Sequence, residues 1–440
     1  MKKRRRSPSL DASIKRSNST TAEPPINEYN GWTVPTKDYT IPTINITDVT
    51  PETFYKDFIH KRRPVVLKGI LPDLSLIERW KDFNYLIEKV GDSPVMVEKR
   101  SSETDSFGNG DEVQLMFRQF IQFICNGDDK HYMTTQDVHA NSDGRPDLMS
   151  PFMKALSNDF SLRPQLMGNL IPQNINMWIG NSSNKDGTSS GLHHDYHDNL
   201  YIVLKGRKRF RLYSPIDVDK MYMRGELLKV HPNGRINYKG EETTAYGADL
   251  LSDDAAKAAR QRREAERALE DAELAVEEGK PGAQEQLDGA EKQLDEALDA
   301  VLDAEVYEEE EVEDDDDDDD DDDLESESID EYEYEDGHRL VDKTVKNPTN
   351  FSTIQADCLN DEKKLKQNYP NILHANAAFC DIEAGSILYL PASWFHEVRS
   401  YGTSIALNYW FHPPDGNDFS TPYSSDFWPN DFSERVEKSL

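Results

Sequence analysis

The chain has 440 residues, with 50 Lys and Arg against 84 Asp and Glu, a formal net charge of -34. Its three cysteines, Cys125, Cys358 and Cys380, are odd in number and widely spaced, which argues for a reducing compartment and against a disulfide frame or a Cys-rich zinc site. The chain opens without an apolar h-region and contains no apolar run long enough to span a bilayer, so the expectation is an intracellular protein, nuclear, cytoplasmic or both, away from membranes.

The charge is local. Residues 253–336 hold 39 acidic and 7 basic side chains, and the rest of the chain holds 45 and 43. The body is nearly neutral, and one segment carries the excess.

In chain order, residues 1–30 form a polar tail that opens with Lys2-Lys-Arg-Arg-Arg6 and reads as disordered. The basic run is either a nuclear address or a solvated end. In residues 31–252, Glu52 to His60 and Leu115 to Cys125 carry helical apolar spacing, and Arg63 to Gly69 reads as a strand closed by glycine. Asn176 to Gly180 is a further strand. It leads into Asn181 to Ser190, a Ser-, Asn- and Gly-rich loop expected to be mobile.

Gly191-Leu-His-His-Asp-Tyr-His-Asp-Asn-Leu-Tyr201 follows. His193 and Asp195, at i and i+2, project from one face of a strand. Among 11 histidines a lone His-x-Asp carries little weight, so its surroundings matter. Asn199 to Leu204 reads as a buried strand, Lys205-Gly206-Arg207 as a turn, and Lys208 to Tyr213 as an alternating strand. Lys208 shares the inward parity of Phe210 and Leu212. An inward lysine is costly unless an anion meets it; the other reading is a strand-end lysine that reaches water.

Residues 253–336 form an acidic insert. Ala265, Leu269, Ala272 and Val276, then Leu287, Leu294, Leu298 and Val301, fall at helical spacing around Gly279-Lys-Pro-Gly282, which predicts a helical hairpin with a narrow apolar stripe. Ten aspartates, Asp314 to Asp323, predict an extended, wet run. Removing these 84 residues leaves 119 between His193 and His396, so the insert reads as an excursion from a loop at a barrel rim. In residues 337–440, Ile387 to Leu390 is a strand ended by Pro391, Trp394 to Val398 surrounds His396 with large apolar side chains, and Ser404 to Phe411 is another strand.

These stretches together resemble the JmjC, cupin-like Fe(II)- and 2-oxoglutarate-dependent oxygenases. The resemblance rests on Leu192-His193-x-Asp195-x-x-x-Asn199-Leu-Tyr201, Gly206-x-Lys208, Leu388-Tyr-Leu-Pro391 with Trp394-x-His396-x-Val398, and Asn408-x-Trp410. In order and spacing the chain resembles the small JmjC-only protein hydroxylases, including the lysyl type, more than the multidomain histone demethylases. The implied fold is mainly β with surrounding helices: an eight-stranded double-stranded β-helix, or jelly roll, interrupted by the acidic insert.

The implied ligands of Fe(II) are His193, Asp195 and His396, with a coordination face left for 2-oxoglutarate and O2. The implied partners of the 2-oxoglutarate carboxylate are Lys208 and Ser190. Tyr132 matches a pocket tyrosine, or is an ordinary half-buried strand tyrosine. Asn199 and Asn408 are pocket residues, or hydrogen-bonded core amides. Family register favours His193 over His194, and Tyr196 and His197 are placed to face a substrate.

The implied reaction hydroxylates a protein or peptide side chain, lysine favoured, and releases succinate and CO2. N-methyl-lysine demethylation is the alternative within that chemistry. A non-catalytic scaffold that recruits basic partners through the insert is the alternative outside it. The acidic segment argues against direct nucleic-acid binding. Dimerisation through a C-terminal helix, as in related hydroxylases, has only Asp431 to Leu440 to draw on.

Overall fold

The computed structural model describes residues 26–100, 107, 111–140, 145–313, 334–335, 338–339 and 348–437. The basic run at Lys2–Arg6 and the aspartates 314–323 lie outside the described residues.

Two long antiparallel strands, Asp198–Tyr213 and Phe395–Phe411, organise the barrel. Sequence reading divides each in two, whereas the structure runs each through unbroken. Lys205-Gly206-Arg207 is a bend, not a reversal. Gly206 has φ +80, and a Cβ there would lie 2.5 Å from the Thr403 carbonyl oxygen, so only glycine lets the two strands slip past each other at this point. The partner strand slips in register over Tyr401–Ile405.

The bend lets each strand serve two faces. Asn199–Val203 pairs with Ser386–Leu390, whose other edge meets Val65–Lys68. Arg207–Leu212 pairs with Ala378–Glu383. The far half of Phe395–Phe411 pairs with Pro172–Gly180, which leads on to His131–Met133, Pro94–Lys99 and Asp111–Met116. Its near half takes Thr188–Ser189. The result is a double-stranded β-helix whose two faces join in one twelve-stranded ladder, larger than the expected eight because N-terminal strands extend it.

The same bend changes the parity of side chains. Leu200, Ile202 and Leu204 face outward, into a core shared with Phe54, Ile59, Leu86, Phe117, Phe120 and Ile124 of the flanking helical segments. Tyr201 and Val203 face the barrel interior. After the one-residue slip, Phe210 and Leu212 face it too. Lys208 shares that inner face and is 1% exposed, so the strand-end, water-reaching alternative is excluded.

The helix read from Leu115 begins at Phe117, because Asp111–Met116 is drawn into the sheet. The polar loop 181–190 is tied down by Ser182–Gly402 backbone bonds and by the Thr188–Ser189 strand. The C-terminal helix is Phe427–Glu437; Trp428 is buried, and Asp431 pairs with Arg145 at 3.1 Å, so its apolar side is spent within the chain.

The insert contributes helices Leu250–Glu277 and Ala283–Glu313. Their seam is alanine-rich and includes the expected Ala265 and Ala272. Ala258, Ala265 and Ala272 on one helix and Ala283, Ala290 and Ala297 on the other are buried at seven-residue intervals, while Leu274, Leu298 and Leu302 are exposed. Small side chains let the helices approach closely, which leaves the leucines outside. The root is polar: buried Asp253 accepts from Tyr246 Oη and Ser425 Oγ and pairs with Lys257. Among the described residues no helix is long and apolar enough to cross a membrane.

A buried ion pair locks the site end of the barrel. Arg62 donates through both terminal nitrogens to Asp198 and through Nε to the Asn233 carbonyl at 2.8 Å. Asp198 also accepts from Tyr389 Oη at 2.7 Å and the Ala392 amide at 2.9 Å. Arg62 and the Tyr389–Ala392 segment thus converge on one carboxylate, and Arg62 also ties in Asn233. Arg62→Met strands that buried charge and is expected to lower the unfolding free energy by about 3–5 kcal/mol. Urea denaturation measures the loss, and the double variant Arg62→Met/Asp198→Leu is expected to lose less than the single one. A loss below ~1 kcal/mol, the range of an exposed pair, would show the lock to be dispensable.

Candidate active site

His193 and His396 pair across the antiparallel turn-in of the chain. The His193 amide donates to the His396 carbonyl at 3.0 Å, and the His396 amide to the His193 carbonyl at 2.7 Å. Their ring centroids are 4.2 Å apart. Asp195 Oδ2 lies 3.7 Å from His396 Nε2. One nitrogen of each histidine and one carboxylate oxygen all fall within 4.8 Å of one another.

The backbone fixes both tautomers. His193 Nδ1 lies 3.1 Å from the Gly191 carbonyl, and His396 Nδ1 lies 2.9 Å from the Trp394 carbonyl. A carbonyl only accepts, so each Nδ1 carries a proton and each Nε2 is the nitrogen left for the cluster. Burial, with His396 as neighbour, lowers the His193 pKa to about 4 against the opposing pull of Asp195, so the ring is neutral at physiological pH. Two imidazole nitrogens and a carboxylate are a donor set that fits a first-row divalent ion with open positions.

The doublet is resolved by packing. His194 Nε2 meets Tyr238 Oη at 2.8 Å and is fully buried against Tyr238 and Phe395, away from the cluster. Of the pair proposed to face a substrate, Tyr196 is held by Glu241 at 3.0 Å, and His197 lies beside Trp410.

Lys208 ends in an enclosed, aromatic environment. Nζ donates to Tyr132 Oη at 2.7 Å and sits 5.1 and 5.6 Å from the ring centres of Tyr132 and Tyr201. Among the described residues no carboxylate pairs with it, and burial alone lowers its pKa to about 7. An anionic ligand would remove that penalty, and the donor set fits a carboxylate. Tyr132 lies flat over Gly180, where a Cβ would stand 2.2 Å from the ring, and stacks on Phe107 at 4.8 Å. Tyr201 lines the same enclosure, and burial, with Tyr132 and Asp195 as neighbours, holds its pKa well above the ordinary value. Tyr201 had been read only as part of a motif; its shared parity with Asn199 was the available signal.

The two asparagines are joined. Asn408 donates to Asn199 at 3.3 Å and accepts from Trp178 Nε1 at 2.7 Å. Beside them in register are Asn176, opposite Asn408, and Asn174, opposite Trp410. Asn176 Nδ2, Asn174 Oδ1 and Trp410 Nε1 are buried without a hydrogen-bond partner. Such orphaned atoms on the inner wall suit a polar occupant of the barrel. Ser190 Oγ donates to the Gly191 carbonyl at 3.0 Å and accepts from the Val398 amide at 3.1 Å; among the described residues no hydrogen bond joins it to Lys208.

Comparison with known proteins agrees with this geometry. The family model for the cupin-like domain matches residues 51–417. JmjC domain-containing protein 4 of Schizosaccharomyces pombe is 35% identical over 438 residues, covering 90% of each chain. The human bifunctional peptidase and (3S)-lysyl hydroxylase JMJD7 is 22% identical, over 38% of this chain and 52% of its own. Lysine-specific demethylase JMJ32 of Arabidopsis thaliana is also 22% identical, over 40% and 51%. Since the match runs through both halves of the barrel and nearly end to end against one relative, the chain belongs to the cupin-like, JmjC family.

Proposed function

We propose that this chain is an Fe(II)- and 2-oxoglutarate-dependent dioxygenase that hydroxylates a protein side chain, lysine favoured. One observation carries the reading: two imidazole nitrogens and a carboxylate converge within 4.8 Å while a buried lysine in the same barrel interior has no anionic partner. A relative named for lysyl hydroxylation supports the choice of lysine. Another named for lysine demethylation keeps the N-methyl alternative in view.

His193 and His396 would hold the ion through Nε2, each steadied by its Nδ1 bond to a carbonyl, and Asp195 would complete the set. Lys208 and Tyr132 would receive the distal carboxylate of 2-oxoglutarate, and Asn199 and Asn408 would border its other end. When bound, iron with 2-oxoglutarate and O2 supplies an oxidant able to break a C–H bond, with succinate and CO2 as by-products. The chain's part is to orient the reactants and to keep water out, which the aromatic and aliphatic interior around Tyr201, Val203, Phe210 and Trp394 does. The acidic segment gives a basic protein substrate an electrostatic route to the barrel, an attraction that salt screens.

The test is succinate release with mass spectrometry of candidate substrate proteins. A gain of one oxygen is the expected product, whereas loss of a methyl would replace hydroxylation with demethylation. His193→Ala and Asp195→Ala are each expected to cut succinate release by more than about 100-fold, beyond the loss of an outer-shell partner. No turnover with any protein, together with full cellular function of His193→Ala, would favour the scaffold reading.

The pH dependence follows from Lys208. Binding a carboxylate needs the charged ammonium, and the ligand-free side chain loses its proton near pH 7. As pH rises above that value, the dissociation constant of 2-oxoglutarate for the Mn(II)-loaded protein is expected to rise towards about tenfold per pH unit. Calorimetric titration reads it, and Lys208→Met is expected to bind weakly with no slope; an unchanged slope in that variant would remove Lys208 from the pocket.

A further inference from the structure

Where the chain returns from the acidic insert, Thr349–Ser352 runs alongside Leu192–His194. The His194 amide donates to the Asn350 carbonyl at 3.1 Å, and the Ser352 amide donates to the Leu192 carbonyl at 2.9 Å. Asn350 Nδ2 adds a bond to the His194 carbonyl at 2.6 Å. Between them Phe351 forms an isolated antiparallel bridge with His193. Its ring lies on the imidazole with centroids 4.8 Å apart and planes 10° from parallel. The segment is anchored from behind: Gly225 and Arg224 amides donate to the Thr349 and Phe351 carbonyls at 3.0 Å, and Ser352 Oγ donates to the Met221 carbonyl at 2.6 Å.

The imidazole of His193 therefore has two restraints. The Gly191 carbonyl takes its Nδ1 proton, and Phe351 presses on its face. The first sets the tautomer. The second limits rotation of the ring, and a ligand whose Nε2 must point at an ion needs both. We propose that Phe351 is a positioning residue for His193, so that the limb returning from the acidic insert is part of the metal site. The proposal rests on the reading of His193 as an iron ligand.

The test uses Co(II) alone, titrated into full-length protein and followed by its visible d–d absorption. Phe351→Leu keeps bulk but removes the flat face, and Phe351→Tyr keeps the face. Phe351→Leu is expected to weaken Co(II) binding by about 10–100-fold, while Phe351→Tyr stays within about threefold of the unaltered protein. The metal-free melting temperature of Phe351→Leu is expected to fall by less than about 4 °C.

Equal affinity and an identical d–d spectrum in a folded Phe351→Leu protein would overturn the clamp and leave the iron reading standing. Unaltered protein that takes up no Co(II) would overturn both. Should Phe351→Leu fail to fold, Asn350→Ala decides: weakened Co(II) binding supports the clamp, and unchanged affinity overturns it.

Discussion

The strand Phe395–Phe411 is the constraint from which the site follows, because it pairs both with Asp198–Tyr213 and, through its near half, with the chain that leads from Thr188 to His193. In the ladder with Asp198–Tyr213, Asp198 lies opposite Phe411 and His396 opposite Leu212; it is the pairing of Thr188–Ser189 with Arg399–Ser400, continued through Ser190 to the His193–His396 bridge, that brings His193 and Asp195 to His396. The Asp198–Tyr213 ladder sets Asn199 beside Trp410 and Tyr201 beside Asn408. The slip at Gly206 then does what a straight strand cannot. It keeps Leu200, Ile202 and Leu204 on the helix-covered side, yet turns Lys208, an odd number of residues after Tyr201, into the interior with it.

Two buried cations near that end of the barrel illustrate opposite solutions to one desolvation problem. Arg62 is paired by Asp198, and its pKa is held above the ordinary value by that carboxylate despite burial. Lys208 has only phenol and aromatic faces, and its pKa falls. The first arrangement suits a permanent lock across segments far apart in the chain. The second is worth retaining only if the missing negative charge is supplied from outside, because a charge that stays unpaired in a barrel costs more than an apolar replacement would. The contrast separates a structural cation from a ligand-binding one by neighbours rather than by burial, which is nearly the same for both.

Much of the site was legible in the sequence, for identifiable reasons. His193, Asp195, His396 and Lys208 lie on or beside strands with strong apolar patterns; parity puts Lys208 on the inward side but leaves a water-reaching strand end open, which only its burial excludes. The bend at Gly206 was misread as a turn because a reversal and a slip both use a glycine in the left-handed region, and local sequence does not distinguish them. The alanine-rich stripe of the hairpin is legible at Ala265 and Ala272, while Leu298, which shares the helical spacing, stays exposed because close helix packing selects the smaller side chain. Phe351 was illegible. It stands 158 positions after His193, across the whole insert, in a stretch with no periodic pattern.

That separation bears on how a barrel tolerates the long stretch between helix Leu250–Glu277 and Thr349. Loop-closure entropy grows slowly with length, so a long insert is cheap if its two ends are held close to where a short loop would have begun and finished. Here both ends are held by directed polar contacts. Asp253 is fixed by Tyr246, Ser425 and Lys257 at the outgoing end, and Thr349 to Ser352 is fixed by Met221–Gly225 and by Leu192–His194 at the returning end. The returning anchor, however, is made on the same backbone that presents His193. An insertion point chosen only for tolerance would be expected to avoid that strand; one that leans on it ties the end of the acidic segment to the geometry of the cluster.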